Sequence, residues 1–321
     1  MLAVRGTSLG DVLMALEAVR RLKRRRPDLH VDLLTRPPYR DLARLCPDVR
    51  RVVGPAGDEE NPAYGVLWDL QGGRKGRRLA RGYRAQSRVA APSESLVRRA
   101  HVLAGGRLFR PRHQLARFLE PACGRTPGAG PVAGPALLAV GPAPRAADPV
   151  RVGLAPLARR SMKAWPLPRY LDLSARLAAQ GMEPVWFWDP ARPLPEELAG
   201  QTCVAAPLAE AAGQMATCRV VVAGDTGLAH LASAVGCHAV VLFGSTVPGL
   251  GHTPAGPHTV LDVDLPCRPC HVHGASSCWL GHRRCLTEIT TDRVVRAVRD
   301  ALIPSQGEER EEEERRERAL E

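Results

Sequence analysis

The 321-residue chain carries 45 lysines and arginines against 33 acidic residues, for a net charge of +12, and 45% of its residues are hydrophobic. This apolar content suits two domains of ordinary size, and the absence of any apolar run of 18 or more residues excludes a spanning helix of the usual kind. Because the N-terminus lacks the pattern of a secretory signal, we expect a cytoplasmic protein.

The first part of the chain alternates short apolar runs with segments of helical periodicity. Such alternation predicts a parallel sheet with helices on its faces. The predicted strands are Leu2–Val4, Val31–Thr35, Val49–Val53 and Val66–Leu70, and the predicted helices are Gly10–Arg24 and Asp41–Leu45.

Residues 124–149 are rich in Gly, Pro and Ala, which predicts a linker. The alternation then resumes, with predicted strands at Val150–Leu154, Pro184–Trp188, Val220–Val222 and Ala239–Phe243 and helices at Leu167–Gln180 and Thr291–Ile303. The prediction is an α/β fold of two Rossmann-like domains facing a central cleft, at residues 1–145 and 146–304. The charged tail, 305–321, is predicted to be a solvated helix or disordered.

The turn after Val220–Val222 is the most informative segment, because a strand, a glycine turn, a helix and a second strand follow one another there. Thr226 and Gly227 fall at a helix N-terminus, where free N–H groups and the helix dipole favour an anion. His230 lies about one turn further along the same face. A plain helix cap, with Asp225 or Thr226 at the N-cap, explains the same residues equally well.

A second glycine turn, Gly6-Thr7-Ser8-Leu9-Gly10-Asp11, follows the first strand. Its glycines and hydroxyls would let a ligand approach the backbone closely. Asp11 falls at the start of the next helix, where a carboxylate either caps the helix or serves as a general base in the cleft.

The loop after Val150–Leu154 concentrates basic residues, Arg159, Arg160 and Lys163, around Ser161. Only three of the 45 basic residues are lysines, and Lys163 is one of them. A lysine supplies a compact charge that suits a single phosphate oxygen, so this loop is a candidate phosphate site; a solvated basic loop is the alternative.

Four of the nine cysteines cluster near the C-terminus, at Cys267, Cys270, Cys278 and Cys285. A Cys-x-x-Cys with two further thiols has the spacing of a structural zinc site. Two disulfides, or free thiols in a compact loop, are the alternatives.

Three of these motifs together resemble glycosyltransferase family 9, the lipopolysaccharide heptosyltransferases, in order and spacing from residue 1 to about 300. They are the early turn with Asp11, the step Lys163-x-Trp165-Pro166, and Gly224–Ala232 with the downstream Leu242–Thr246. The resemblance implies a GT-B fold. It also implies inverting transfer, without a catalytic metal, of a sugar, typically heptose from ADP-heptose, to an acceptor of the lipopolysaccharide core or a related envelope glycan.

The resemblance also implies roles for individual residues. Asp11 would be the catalytic base, and Lys163 would hold the donor phosphates. The other donor-binding candidates are Ser161, Asp189, Asp225, Thr226, Gly227 and His230, and the acceptor-binding candidates are Thr7, Ser8, Gly10, Asp69 and Gln71. Trp186-Phe187-Trp188 departs from the family pattern and suggests an altered nucleoside pocket.

Three other functions compete with this hypothesis. A non-catalytic sugar-nucleotide-binding protein or a sugar-nucleotide epimerase could share the fold, and the net charge suggests a nucleic-acid binder. Only four Phe and four Tyr argue against nucleic acid. The charge also suggests peripheral contact with an anionic membrane, where a glycolipid acceptor would be presented, through Arg98, Arg99, Arg107, Arg110, Arg112 and Arg117.

Overall fold

The computed structural model describes residues 1–55, 63–123, 136–140 and 149–303. Most of the predicted linker, the predicted domain boundary at 145/146 and the charged tail lie outside these residues. Within them, no helix is both long and apolar enough to cross a membrane.

The N-terminal half contains a five-stranded parallel sheet in the order β3-β2-β1-β4-β5. Its strands are β1 Leu2–Val4, β2 Asp32–Leu34, β3 Arg51–Val53, β4 Tyr64–Asp69 and β5 Ala85–Ala90. Its helices are α1 Leu9–Arg25, α2 Pro37–Arg44, α3 Gly73–Leu79, α4 Ser95–Leu103 and α5 Gln114–Cys123. Ala3 of β1 pairs with Leu33 on one side and with Trp68 on the other.

The C-terminal half contains a six-stranded parallel sheet in the order β11-β10-β9-β6-β7-β8. Its strands are β6 Arg151–Ala155, β7 Glu183–Phe187, β8 Cys203–Val204, β9 Val220–Gly224, β10 His238–Leu242 and β11 His258–Leu261. Its helices are α6 Leu167–Ala178, α7 Leu208–Ala216, α8 Gly227–Ala234, α9 Arg284–Thr287 and α10 Thr291–Leu302. The two parallel sheets confirm the predicted α/β class.

In both sheets the order in which strands are added changes side after the third strand. The chain builds outward from the first strand of each half and then returns to place a later strand, β4 or β9, on the other side of it. At this point the connections from two neighbouring strands run in opposite directions, and a crevice opens beyond the carboxyl ends of the strands. Ligands of open α/β sheets bind in this crevice. The turns after β1, β4, β6 and β9 all lie at such a crevice, and they carry most of the predicted site residues.

The two halves share a continuous apolar core. Helix α1 buries Val12, Leu16 and Val19 at helical spacing, and its cluster of buried side chains extends to residues of α8. The segment 136–140 forms backbone hydrogen bonds to both halves. Leu137 donates its N–H to the Ala234 carbonyl at 2.8 Å, and Ala139 donates its N–H to the Leu45 carbonyl at 2.7 Å.

A second core lies on the other face of the C-terminal sheet and is built around Trp165, Tyr170 and Trp186. The rings of Trp165 and Tyr170 meet edge to face with centroids 5.0 Å apart, a favourable aromatic geometry. Trp186 and Phe187 are completely or almost completely buried. The prediction that these aromatics shape a nucleoside pocket is therefore wrong for Trp186 and Phe187, which are packing residues.

Candidate functional site

The N-termini of α1 and α8, one from each half, meet in the cleft. A Cβ added to Gly10 would lie 2.7 Å from Cδ2 of His230, and one added to Gly227 would lie 2.7 Å from Cβ of Leu9. Only glycine permits this approach at either position, because real Cβ atoms do not come so close to other heavy atoms. The two glycine turns predicted from the sequence therefore face one another.

Asp11 belongs to a capping box at the start of α1. The Ser8 backbone N–H donates to its Oδ2 at 3.1 Å and the Ser8 hydroxyl at 3.2 Å. Arg5, directly after β1, places Nη2 2.5 Å from the same oxygen. Burial raises the pKa of Asp11, but the Arg5 guanidinium and the Ser8 N–H lower it by more, so the pKa lies below its ordinary value. The carboxylate is held charged.

Lys163 is anchored to Asp225. Its Nζ lies 2.6 Å from Oδ2 of Asp225 and donates to the Asp225 carbonyl at 3.0 Å. The Thr246 hydroxyl donates to the same carboxylate at 2.6 Å. Burial raises the pKa of Asp225, but the charge and hydrogen bonds of Lys163, with the Thr246 hydroxyl, lower it overall. A buried carboxylate thus holds the ammonium beside the start of α8.

Within the described part of the chain, no side chain caps the N-terminus of α8. Thr226 occupies the N-cap position without capping, and its Oγ1 is buried without a hydrogen-bond partner in the described residues. Asp225 turns away to Lys163 and Thr246. The first N–H groups of α8 are therefore not satisfied by either predicted cap, which favours the anion site over the capping hypothesis.

The loop that carries Lys163 is seated on glycines at the ends of neighbouring strands. A Cβ at Gly224 would collide with the Lys163 carbonyl, and one at Gly244 would collide with the Met162 carbonyl. The Ser245 N–H donates to the Met162 carbonyl at 3.0 Å, and Gly274 packs against the aliphatic stem of Lys163. These contacts fix where the ammonium can reach.

His252 also belongs to the cleft, although it lies in none of the motifs of the sequence. Its electrostatic neighbours are Arg98, Asp11, Asp225 and Lys163, and its Nε2 is buried without a partner in the described residues. Burial, with a contribution from Arg98, lowers the pKa of His252 to about 3, so the ring is neutral at physiological pH. His230, similarly, has its pKa lowered by burial.

The predicted acceptor residues divide into two groups. Thr7, Ser8 and Gly10 lie in the turn beside Asp11, at the cleft. Asp69 is buried, accepts from the N–H groups of Gln71 and Gly72 at 3.1 and 2.8 Å, and pairs with Arg88 at 2.5 Å. The Gln71 side chain accepts from the Gly6 N–H at 3.1 Å. In the structure, therefore, Asp69 and Gln71 support the turns after β4 and β1.

Two of the residues predicted to bind the sugar donor form hydrogen bonds within the chain. The Ser161 hydroxyl donates to the Ser276 carbonyl. Asp189, exposed after β7, accepts from the Ala191 N–H at 3.0 Å. Since β7 is next to β6 in the sheet, Asp189 still lies at the carboxyl edge that carries the Lys163 loop.

The four clustered cysteines are free thiols, so the disulfide alternative is wrong. Cys285 is a core residue whose pKa is raised to about 11 by burial, and Cys270 donates its thiol to the Cys267 carbonyl at 2.9 Å. In the parts of the chain that the structure describes, no group of three or more His, Cys, Asp or Glu side chains is placed to hold a metal. The predicted structural zinc at Cys267, Cys270, Cys278 and Cys285 is therefore not supported.

Comparisons with known proteins agree with this geometry. Residues 137–278 match the family model described as glycosyltransferase family 9 (heptosyltransferase). A curated relative, lipopolysaccharide heptosyltransferase 1 of Pseudomonas aeruginosa, is 32% identical over 117 residues, which are 34% of this chain and 32% of that protein. The aligned part thus spans about a third of the relative's length.

Solved structures extend the similarity to the whole fold. E. coli ADP-heptose lps heptosyltransferase II superposes with a TM-score of 0.65 at 20% identity, over 94% of this chain and 98% of that one. E. coli heptosyltransferase WaaC with ADP gives 0.67 at 18% identity, over 94% and 99%. These likenesses show that the chain has the GT-B fold of the heptosyltransferases, and residues 137–278 are similar in sequence to glycosyltransferase family 9.

Proposed function

We propose that this chain is an inverting, metal-independent glycosyltransferase that moves heptose from ADP-heptose to an acceptor of the lipopolysaccharide core or a related envelope glycan. The observation that carries the proposal is the convergence in one cleft of Asp11 from the N-terminal half with Lys163 and the uncapped α8 from the C-terminal half. The relatives' names supply the donor, because two of the similar E. coli proteins are named with ADP-heptose or ADP.

The cleft residues can perform the two tasks that inversion requires. The leaving ADP gains charge on its phosphates, and the α8 N–H groups and Lys163 supply fixed positive potential for it. On the opposite side, Asp11 accepts the proton of the acceptor hydroxyl as the new bond forms at the anomeric carbon. His230 and the buried Thr226 hydroxyl complete the wall next to the phosphates.

The test is a transfer assay with labelled ADP-heptose and a heptose-free lipopolysaccharide-core glycolipid, with and without EDTA. We expect transfer that EDTA does not change, a product of inverted anomeric configuration, and no transfer from UDP- or GDP-heptose. If the protein binds ADP-heptose but neither transfers the sugar to this acceptor nor hydrolyses the donor, a sugar-nucleotide-binding protein is favoured instead. Interconversion of the sugar at one carbon would favour an epimerase.

The membrane contact that we propose uses a different set of residues from the one predicted. Arg98 and Arg117 are buried, so the prediction is wrong for these two. Arg112 is exposed but paired with Glu94 and Glu120, and we leave it out because its charge is offset there. Arg99, Arg107 and Arg110 are exposed beside a group of exposed apolar side chains, Leu96, Leu103, Leu108 and Phe109. We name these seven residues the α4 patch. Apolar side chains flanked by arginines suit the surface of an anionic bilayer.

A further inference from the structure

His252 lies in the loop that joins β10 to β11, and this loop crosses from one half of the protein to the other. The loop begins at the phosphate side of the cleft, where the Thr246 hydroxyl donates to Asp225 Oδ2 at 2.6 Å. It then reaches the start of α5, which packs against α1, the helix that carries Asp11. The loop therefore spans the distance between the carboxylate that holds Lys163 and the helix of the proposed base.

Hydrogen bonds between the two halves fix the backbone on both sides of His252. The Gly251 carbonyl accepts the Gln114 N–H at 2.9 Å. On the other side, the Thr253 carbonyl accepts from Nε2 of His113 at 3.0 Å. Because both neighbours are bonded to the start of α5, the position of His252 is set by the packing of the halves.

The imidazole of His252 lies among charged groups of both halves. Asp11 of the N-terminal half, and Asp225 and Lys163 of the C-terminal half, all act on it electrostatically. Asp11 is the proposed proton acceptor, and Lys163 the proposed phosphate ligand. In an inverting transfer the anomeric carbon lies between these two groups, since the acceptor oxygen arrives on one side and the phosphate leaves on the other. His252 is therefore placed beside the transferred sugar.

The ring of His252 has hydrogen-bonding capacity that the chain leaves unused. Its Nε2 is buried and has no hydrogen-bond partner among the residues that the structure describes. A buried polar atom without a partner is costly, and a ligand that supplies the partner removes this cost. The residue as a whole is only partly buried, and rotation about its Cβ–Cγ bond is soft. Nε2 can therefore turn towards a bound sugar without breaking a hydrogen bond of its own.

We propose that His252 forms a hydrogen bond with a hydroxyl group of the sugar being transferred and so helps to select and orient the donor. A hydroxyl both donates and accepts, so it can pair with Nε2 in either tautomer of the imidazole. Burial lowers the pKa of His252 to about 3, and the neutral ring places no positive charge beside an anomeric carbon that becomes cationic during transfer. The inference rests on the proposed transferase function, to whose donor site it adds this residue.

The binding test compares ADP with ADP-heptose, because the two ligands differ by the sugar that His252 contacts. By calorimetry, His252→Ala should weaken binding of ADP-heptose roughly five- to tenfold, the value of one hydrogen bond, and leave binding of ADP unchanged. His252→Gln should keep most of the affinity, because its amide can donate and accept. The control is His30→Ala, on an exposed histidine beside the start of β1, which should bind both ligands like the wild type.

A purely structural role for His252 predicts a different result. If the ring only fills space between the halves, its loss should affect ADP and ADP-heptose equally, and glutamine should not restore the difference between them. An equal loss of affinity for both ligands in His252→Ala, or wild-type affinity for both, would overturn the inference. Should the alanine variant fail to fold, His252→Phe gives the same comparison, because it keeps the bulk of the ring and removes its hydrogen bonds.

The transfer assay separates this inference from the function on which it rests. His252→Ala should lower kcat/KM for ADP-heptose and leave KM for the acceptor unchanged. If the wild type transfers heptose and His252→Ala does so with the same kcat/KM for ADP-heptose, the sugar contact is wrong and the function stands. If the wild type transfers no sugar but its affinity for ADP-heptose, and not for ADP, depends on His252, the proposed function fails and the sugar contact stands.

Discussion

The Nζ of Lys163 lies 2.6 Å from Oδ2 of Asp225, in the first turn after β9. An incoming donor phosphate would compete with Asp225 for this ammonium. Asp225 keeps a second partner in the Thr246 hydroxyl, at 2.6 Å, so the carboxylate remains hydrogen-bonded if Lys163 turns towards a ligand. The pair therefore holds the ammonium beside the start of α8, in a geometry that would let Lys163 turn towards a bound phosphate.

Replacing Lys163 by Ala should cost about 2–4 kcal/mol of transition-state stabilisation, or roughly 30- to 1,000-fold in kcat/KM. The measurement is steady-state transfer from ADP-heptose. Lys75→Ala, on an exposed lysine of α3, is the matched control and should leave kcat/KM unchanged. A Lys163→Ala enzyme with wild-type kcat/KM would remove this residue from the donor site.

Gly10→Ala should weaken binding of ADP at least tenfold. An added Cβ would lie 2.7 Å from Cδ2 of His230, so the imidazole and the start of α8 must shift away from their positions. In an ordinary helix the same change would stabilise the protein by about 0.5–1 kcal/mol. Gly65→Ala, where a Cβ meets nothing within 4 Å, is the control, and ADP affinity can be measured by calorimetry. Unchanged affinity in Gly10→Ala would show that α8 tolerates the displacement.

The sequence predicted the central elements of the fold and missed those without a clear apolar pattern. The unit β9–α8–β10 was predicted closely, because a valine run, a glycine turn and a second apolar run leave little alternative. Helix α3 reads GRKGRRL and β5 is a mostly exposed strand, AQSRVA, so neither shows helical or alternating hydrophobicity. The order of the strands within each sheet could be determined only from the structure.

The site was predictable where its residues adjoin glycine turns and unpredictable where packing alone assembles it. Asp11 and Thr226 lie at the helix starts that follow the glycine turns after β1 and β9, and their motifs could be recognised. His252 enters the site only because the two halves pack together, which brings it near Asp11 of one half and Asp225 of the other. The signal that could have selected His252 is its proximity to these two carboxylates, which a single sequence does not contain.

The α4 patch should bind vesicles that contain anionic lipid and release them as salt is raised, because salt screens the attraction of the arginines. Co-sedimentation with phosphatidylglycerol vesicles measures this, and neutral phosphatidylcholine vesicles are the control. Leu103→Ser, at the most exposed apolar side chain of the patch, should weaken binding without changing the melting temperature. Equal binding to neutral vesicles, or none at low salt, would contradict the contact.

Acidification below pH 6.5 should destabilise the protein, partly through His113. Its Nε2 bonds the Thr253 carbonyl at 3.0 Å across the two halves, while its Nδ1 accepts the Leu115 N–H at 3.3 Å, which requires a neutral ring. Burial lowers the pKa of His113 from 6.5 to about 4. Between these values the unfolded chain binds the proton and the folded chain does not, so stability falls as pH falls.

For His113 alone, the loss from pH 6.5 to pH 5 should be about 2 kcal/mol. Urea unfolding at the two pH values measures it. In His113→Gln the pH dependence should decrease by this amount, whereas His30→Gln, on an exposed histidine, should retain the wild-type dependence. Identical pH dependence in the wild type and His113→Gln would mean that His113 is protonated in the folded protein as readily as in the unfolded one.

Asp11→Asn is the decisive variant for the mechanism. The amide can still accept from the Ser8 N–H and hydroxyl, so the capping box is retained, but it cannot take a proton from the acceptor hydroxyl. We expect kcat to fall by roughly 10²–10⁴ while ADP-heptose affinity remains near that of the wild type. Because Arg5 loses its ion pair, the variant should also be less stable, by about 1–3 kcal/mol.

Asp32→Asn is the control that separates the loss of kcat in Asp11→Asn from its loss of stability. Asp32 is a fully buried carboxylate of the same half, paired with Arg50 at 2.9 Å and bonded by the Tyr64 hydroxyl at 2.9 Å, at the start of β2 and away from the cleft. Its replacement should lower stability but leave kcat unchanged.

Since the pKa of Asp11 lies below its ordinary value, the acid limb of the kcat profile should fall below about pH 4. An Asp11→Asn enzyme with wild-type kcat would leave Asp11 as a helix cap and ion-pair partner, and the proton acceptor would have to be sought elsewhere in the cleft.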